Sequence, residues 1–487
     1  MTLVLDDGER RLANDLLGRF LDEYEQGLAD RPILPDVDRD TLAELLDEGF
    51  PAEGVGVEGF FRDLDERILP NSTAVAHPRF LAYVLGPPNG IGAYADTVAA
   101  TLNQNCNFWQ LSPAANVIER SVLTWLAGLF GFDTDRSGGI LTTGGSIATL
   151  NALTTALHDR RPDFRRTGLQ TGGAPLVVYT SAEAHRCVDK AAGILGLGLD
   201  NVRRIPTDEN QRMRVDLLAE AIRTDREAGR EPFCVVVTTG TVTTGAIDPV
   251  AEIADLAEAE DLWLHVDGAY GALFVLAEQT ASLFSAVSRA DSVALDPHKL
   301  LFAPLEAGCL LVKDAEKLRR AYAYSSSYLT VQEDPLMRDY MDYGPQLSRN
   351  FKALKIWAAL RTFGTEAFRS ALSSMLDLST YLAQRVEQEP SLRLMAPVML
   401  TAVCVHVPGL SHEGHTELLA KLAAEGTALL GPAVVDGQAG MRACVTNHRT
   451  TRVDIDTIVG RLVELVTELR LTGVSAVAPA PAEDLNG

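Results

Sequence analysis

Among the 487 residues no two cysteines lie close together. The six thiols, Cys106, Cys187, Cys234, Cys309, Cys404 and Cys444, are scattered singly, most of them in apolar stretches. That spacing excludes a zinc ribbon or a CxxC redox centre and suits free buried thiols in a reducing compartment. Long hydrophobic runs are missing too. No window reaches the ~18 apolar residues that read as a bilayer span. The opening MTLVLDDGERR lacks an apolar stretch after a basic start, so it does not read as a signal peptide. Positive charge is scarce: 43 Lys and Arg stand against 66 Asp and Glu, a formal charge of −23. Such a field repels phosphate backbones and anionic lipid. A cytoplasmic protein is expected, with no nucleic-acid and no membrane partner. No Gly-rich turn is followed by Lys-Ser or Lys-Thr, and no GxGxxG occurs, which removes the P-loop and the dinucleotide fingerprint. The nine histidines show no ligand spacing, so no metal is expected.

What is present is ordinary globular material, 46% hydrophobic and 22% charged in 52.5 kDa, enough for several cores. Up to residue 88, helical patterns alternate with Pro-rich breaks and no strand appears. Leu12, Leu16, Leu17 and Phe20 share one helical face, Arg31-Pro-Ile-Leu-Pro35 stops that helix, and 41–46 and 57–69 read as two more. From 89 to 365 the texture is that of a large α/β domain. Near-continuous β-branched runs at 176–180, 234–238, 262–267, 292–296 and 308–312 alternate with helical patterns, which predicts a mostly parallel sheet covered on both faces. From 366 to 473 a long helix (366–387), a strand near 400–407, a helix after His415, a strand at 440–445 and a last helix from Asp454 predict a small α+β domain. The Ala- and Pro-rich tail 474–487 reads as disordered.

Four features carry chemistry. Gly138-Gly-Ile-Leu-Thr-Thr-Gly-Gly-Ser146 precedes a helical run, and a Gly-rich turn opening a helix aims backbone N–H groups at an anion. Alone, Ser146 reads first as an N-cap. Leu264-His265-Val266-Asp267 is an apolar strand ending in a carboxylate that could face a cationic ring nitrogen; alone it is an Asx-turn. Asp296-Pro-His-Lys299 ends another strand, and a partly dry lysine can form an imine, although most lysines are simply exposed. His185 follows the strand ending at Thr180 and could stack on a planar cofactor or sit idle at a helix start. Taken in order, a phosphate turn, a stacking imidazole, a strand-end carboxylate and a lysine are what pyridoxal 5'-phosphate requires.

With these residues in place the chain resembles the group II pyridoxal-phosphate-dependent amino acid decarboxylases, the family of the aromatic-L-amino-acid, glutamate and histidine enzymes. The motifs are His77-Pro-Arg-Phe-Leu-Ala-Tyr83, Phe108-Trp-Gln-Leu-Ser-Pro-Ala114 with Glu119, Thr143-Gly-Gly-Ser146, His185, Gly240-Thr241 with Asp248, His265-Val-Asp-Gly-Ala-Tyr270, Asp296-Pro-His-Lys299 and Arg349-Asn-Phe351 running on to Trp357. The resemblance implies an α/β, fold-type I, aspartate-aminotransferase-like homodimer with the active site at the subunit interface. It implies Lys299 as the imine lysine, Asp267 on the pyridine nitrogen, His185 and Ala269 on the two ring faces, Gly145 and Ser146 on the phosphate, Thr241 near a cofactor oxygen and His298 beside the lysine. It places the family's loop tyrosine at Tyr340, after Asp339, in a polar loop of about 322–343 that reads as a lid; Tyr328 and Tyr343 are read as structural. Tyr340 or His185 would return a proton to Cα, and the tyrosine favours simple decarboxylation over aldehyde formation. Three departures stand out. No Trp precedes His77, Asn107 stands where an aromatic is common, and Asp296 stands where many relatives carry Asn. The first two border the family's substrate pocket. An aromatic amino acid is the expected substrate, with a non-aromatic one, an oxidative aldehyde synthase or a carbon–carbon lyase as alternatives.

Overall fold

The computed structural model describes residues 3–170, 172–324 and 337–471. Seven strands form its main sheet: β1 (Gly138–Thr142), β2 (Leu176–Ser181), β3 (Val202–Ile205), β4 (Glu231–Thr238), β5 (Trp263–Asp267), β6 (Ser292–Leu295) and β7 (Gly308–Val312). Their order is β1-β7-β6-β5-β4-β2-β3. β3, β2, β4, β5 and β6 are parallel, and β7 runs antiparallel to both β6 and β1. Every residue of β1, β2, β5, β6 and β7 is buried, because helices cover both faces. This is the α/β fold of the fold-type I enzymes, as expected, and all five expected strands are present.

β1 and β3 lie outside those expectations. The run 138–146 reads as a turn throughout, yet its first half is a strand. Gly139 is admissible there because the neighbouring β7 backbone comes so close that a Cβ would collide with the Leu310 carbonyl. β3 is a short edge strand carrying Arg203 and Arg204, so no apolar run announces it.

Among its described residues the first region holds helices Asp7–Gln26, Arg39–Leu46 and Gly56–Asp63 and no strand. Helix Asp7–Gln26 opens with a reciprocal Asp6–Glu9 capping box but has no fully buried residue. Near the other end of the chain, helix Ala353–Gln388 bends at Gly364, whose φ is 73°. The limit expected at 365 falls beside this bend, inside one element. A second, antiparallel sheet follows, β10-β11-β9-β8, built from β8 (Arg393–Leu394), β9 (Ala402–His406), β10 (Gly431–Val435) and β11 (Gln438–Cys444). Helices His412–Ala424 and Arg452–Leu471 complete it. The tail 474–487 lies outside the described residues.

One buried ion pair joins the parts around β1. Glu119 and Arg349 are 2% and 6% exposed and are bonded to each other. Glu119 Oε1 also accepts the Leu141 N–H (3.0 Å), while Arg349 donates to the carbonyls of Cys106 (2.8 Å) and Leu141 (3.1 Å). Removing one partner strands the other charge in the core. Glu119→Gln is expected to cost about 3–5 kcal/mol, read as a lowered unfolding midpoint; an unchanged midpoint would show that the pair is dispensable.

Candidate active site

In open α/β sheets ligands bind beyond the carboxyl ends of the strands. Here a cavity of about 250 Å³ opens there. Its floor is the turn after β1. Thr142 Oγ1 donates to the Gly144 carbonyl (3.0 Å), and Gly144 adopts φ 97°, a conformation L side chains rarely take. Helix Gly145–Arg160 then begins, with Gly144, Gly145 and Ser146 at the cavity wall. The first N–H groups of a helix have no partner within it, so this turn offers donors and a positive dipole end. A Cβ at Gly145 would stand 3.0 Å from Asp296 Oδ2 and 3.1 Å from Ala269 Cβ. Glycine keeps that space open.

Asp267 closes β5 and is 7% exposed. Its Oδ1 accepts the Ala269 N–H (3.2 Å) and its Oδ2 accepts the Cys187 thiol (3.7 Å). Burial, then the charge of Asp267, drives that thiol well above its ordinary value, so it stays a donor. His185 lines the cavity with an exposed ring. The Cys187 N–H donates to His185 Nδ1 (3.2 Å), which places the ring proton of the neutral imidazole on Nε2. Ala269 lines the same cavity.

Lys299 rides on the short helical turn Pro297–Leu300 between β6 and β7. Its Nζ lies 3.0 Å from Asp296 Oδ2. His298 Nδ1 donates to the Ala307 carbonyl (2.8 Å), leaving Nε2 3.8 Å from the same Asp296 oxygen. Asp296 Oδ1 is buried without a partner among the described residues.

The cavity therefore brings together Gly145, Ser146, His185, Asp267, Ala269, His298 and Lys299. Thr241 sits between two wall residues, Gly240 and Val242, but its own hydroxyl is spent on a turn, accepting the Ala246 N–H (3.0 Å) and pairing with Thr244 (3.1 Å). Tyr340 is not brought in. It is wholly buried outside the cavity wall, with the Arg349 guanidinium 5.0 Å from its ring centroid and no partner for its hydroxyl. Burial, reinforced by Glu119, pushes that phenol well above its ordinary value. Its segment is pinned: Asn116 exchanges hydrogen bonds with the Arg338 backbone, Asp339 accepts the Trp109 N–H (3.1 Å), and Met341 N–H donates to the Asn107 carbonyl (2.9 Å). The rest of the expected lid, 325–336 with Tyr328, lies outside the described residues. Asn107 turns its own side chain back onto the Phe108 N–H (2.9 Å) and does not line the cavity.

Sequence reasoning missed Cys187 and Arg442. Cys187 is a plain thiol two residues beyond His185, and nothing local marks its contact with Asp267. Arg442, on β11, donates to the Val242 carbonyl at the cavity wall and to the Ala82 carbonyl (2.8 Å), a link only the fold reveals. His265 is structural, as read: buried, with Nδ1 2.9 Å from Ser292 Oγ, and pushed down to about 4 by burial.

A glycine-lined anion turn, a buried strand-end carboxylate, an imidazole in a fixed tautomer and a partly dry lysine around one cavity define a pyridoxal-phosphate site. The residues fit that group: space at Gly145, an unpartnered polar atom on Asp296, and donors and acceptors of the right kind. The comparisons agree. The model of the pyridoxal-dependent decarboxylase conserved domain matches residues 40–407. An aromatic-L-amino-acid decarboxylase of Bacillus atrophaeus is 32% identical over 95% of this chain and 96% of its own. A cysteine sulfinic acid decarboxylase of Rattus norvegicus is 29% identical over 94% and 96%. The crystal structure of mouse CSAD superposes with a TM-score of 0.88 at 28% identity, covering 95% of this chain and 99% of that one. The chain belongs to the pyridoxal-dependent decarboxylase family: it is a pyridoxal-phosphate-dependent carboxy-lyase.

The burial of Tyr340 yields a test. Tyr340→Phe removes an unpartnered buried hydroxyl, so stability is expected to hold or rise by about 1 kcal/mol, with the amine-to-aldehyde product ratio unchanged. Aldehyde appearing in that variant would return Tyr340 to the chemistry.

Proposed function

We propose that the protein decarboxylates an L-amino acid with an aromatic side chain, giving the amine and carbon dioxide. The observation that carries the choice of substrate is the 32% identity, over 95% of this chain, to the aromatic-L-amino-acid decarboxylase of B. atrophaeus. The charged or titratable residues that this chain contributes to the cavity are His185, Cys187, Asp267, Tyr270, Asp296, His298 and Lys299, so among the described residues it offers no guanidinium there to a side-chain carboxylate.

Bound pyridoxal phosphate supplies an aldehyde that condenses with amines and a protonated ring that accepts the electrons left when carbon dioxide departs. The chain's own residues would do the rest. The Gly144–Ser146 turn would hold the phosphate. Asp267, fixed by the Ala269 N–H and the Cys187 thiol, would face the ring nitrogen. His185 and Ala269 would pack on the ring, and Lys299 would hold the cofactor's aldehyde carbon. With Tyr340 buried outside the cavity wall, we assign His185 as the residue that would return a proton to the substrate.

We also assign the chain to a homodimer. Helix Asp7–Gln26 has an apolar face but no buried residue, and Tyr94, Val98, Leu102, Leu111 and Val117, elsewhere in the chain, are exposed. That much bare apolar surface fits a second copy. Sedimentation of the holoenzyme is expected to give twice the chain mass; a monomer at micromolar concentration would remove this assignment.

A second reading rests on the crystal structure of Rhodiola rosea 4-hydroxyphenylacetaldehyde synthase, which superposes with a TM-score of 0.86 at 27% identity over 95% of this chain and 99% of that one. Product analysis separates the two. Wild-type protein given aromatic L-amino acids in air is expected to release amine and carbon dioxide, whereas aldehyde with ammonia and peroxide would establish the second reading. Lys299→Ala is expected to lose both the visible absorbance of the loaded enzyme and all turnover; product formed at the wild-type rate would overturn the lysine's role.

A further inference from the structure

β3 departs from the other strands in carrying two adjacent arginines, and successive side chains of a strand point to opposite faces. Arg203 turns to helix Val215–Glu227, where it pairs with Asp225 (2.7 Å). Arg204 turns the other way, toward the segment that carries His185. Its Nη1 donates to the carbonyls of Ser181 (3.3 Å), Ala182 (3.3 Å) and Ala184 (3.2 Å). Its Nη2 bonds Asp189 Oδ2 (2.6 Å), in the first turn of helix Cys187–Ile194. His185 lies in the chain between these two anchors.

The His185 ring has little else to hold it. It is exposed, and among the described residues its one hydrogen bond is with the Cys187 N–H (3.2 Å), two residues along the same turn. The ring therefore goes where that turn goes. The entry to the turn is set by backbone bonds, Ala182 N–H to the Ile205 carbonyl (2.8 Å) and Ala184 N–H to the Ser181 carbonyl (3.1 Å). Three carbonyl oxygens that converge on one point repel one another unless a cation sits among them. The guanidinium supplies that cation, and its planar fork reaches the carboxylate beyond His185 at the same time. The Arg204 and Asp189 side chains are only 21% and 20% exposed. Arg186 also reaches Asp189 (3.2 Å), but from an exposed position where an ion pair is worth little.

We propose that Arg204 is a positioning residue for His185: by clamping the 181–184 backbone to Asp189 it fixes where the imidazole stands in the cavity. Arg204 does not line that cavity itself. The inference rests on the reading of His185 as the group that packs on the pyridoxal phosphate ring, and it gives the task of holding that group to an edge-strand residue behind the wall.

The experiment compares Arg204→Met, His185→Ala and the double variant, each with and without pyridoxal phosphate. Arg204→Met keeps an apolar stem but removes the donors and the charge. It is expected to weaken pyridoxal phosphate binding about tenfold, within the range for residues that share one network. In the cofactor-free protein it is expected to speed amide exchange at 182–187, where the turn opens locally. In the His185→Ala background the same substitution is expected to cost less than about twofold in affinity, as for uncoupled sites, because the ring it positions is gone. An equal loss with and without His185 would mark a merely structural effect and overturn the proposal, and so would wild-type exchange at 182–187. Asp189→Asn releases the far end of the clamp alone; it is expected to show the same dependence on His185 at a smaller size, and it carries the comparison if Arg204→Met does not fold. If His185→Ala alone bound pyridoxal phosphate as the wild type does, the ring-packing reading would fail and take the proposal with it, a result distinct from an equal loss in both backgrounds.

Discussion

The buried pair between Glu119 and Arg349 is the joint on which the active site hangs. Glu119 comes from helix Pro113–Leu129 and Arg349 from the segment entering helix Ala353–Gln388, and both bond the backbone of Leu141. Leu141 is two residues before the anion turn. Because β1 is an edge strand paired on one side only, by β7, its other flank needs partners, and the ion pair provides them. Full desolvation makes a pair like this poor as a source of net stability but demanding about geometry. Each carboxylate oxygen and guanidinium nitrogen that it satisfies fixes a backbone position.

The same joint accounts for Tyr340. Its ring packs on the Arg349 guanidinium, and the 338–341 segment is laced to 107–116 by backbone and side-chain hydrogen bonds. A tyrosine held so tightly in the interior is part of the frame. Its nearness in sequence to Arg349, the feature that recommended it as a loop residue, is what buries it.

Much of the molecule was legible from its residues. The parallel strands β2, β4, β5 and β6 were visible because helices cover both faces, which forces unbroken apolar runs such as Leu264 to Val266, whereas the edge strand β3, carrying Arg203 and Arg204, was not. β1 was hidden because close approach by β7 demands glycines, and glycines read as turns. The meeting of the candidate site residues at one cavity was legible from the set, since the turn after Thr142, Asp267 and Lys299 each end or follow a strand. Depth and partnership were not. Nothing local distinguishes the engaged hydroxyl of Thr241 from a free one. Nothing local shows that Cys187 points at Asp267, or that Asp296 leaves one oxygen bare while the other reaches both the lysine and the anion turn. Those facts come from the crossovers that bring distant strand ends together.

The connections of β6 and β7 bear on how the site comes into being. Asp296, His298 and Lys299 lie in the link between two antiparallel neighbours, so their setting depends on pairing over a short stretch of chain. The anion turn is different, since Thr142 finds its partner at Gly308. Closing a long loop must precede the contacts that reward it, so long-range pairing is the slow kind. The two halves of the cavity therefore differ in contact range: the lysine's half is set by pairing between chain neighbours, and the anion turn's half by pairing between Thr142 and Gly308, far apart in the chain.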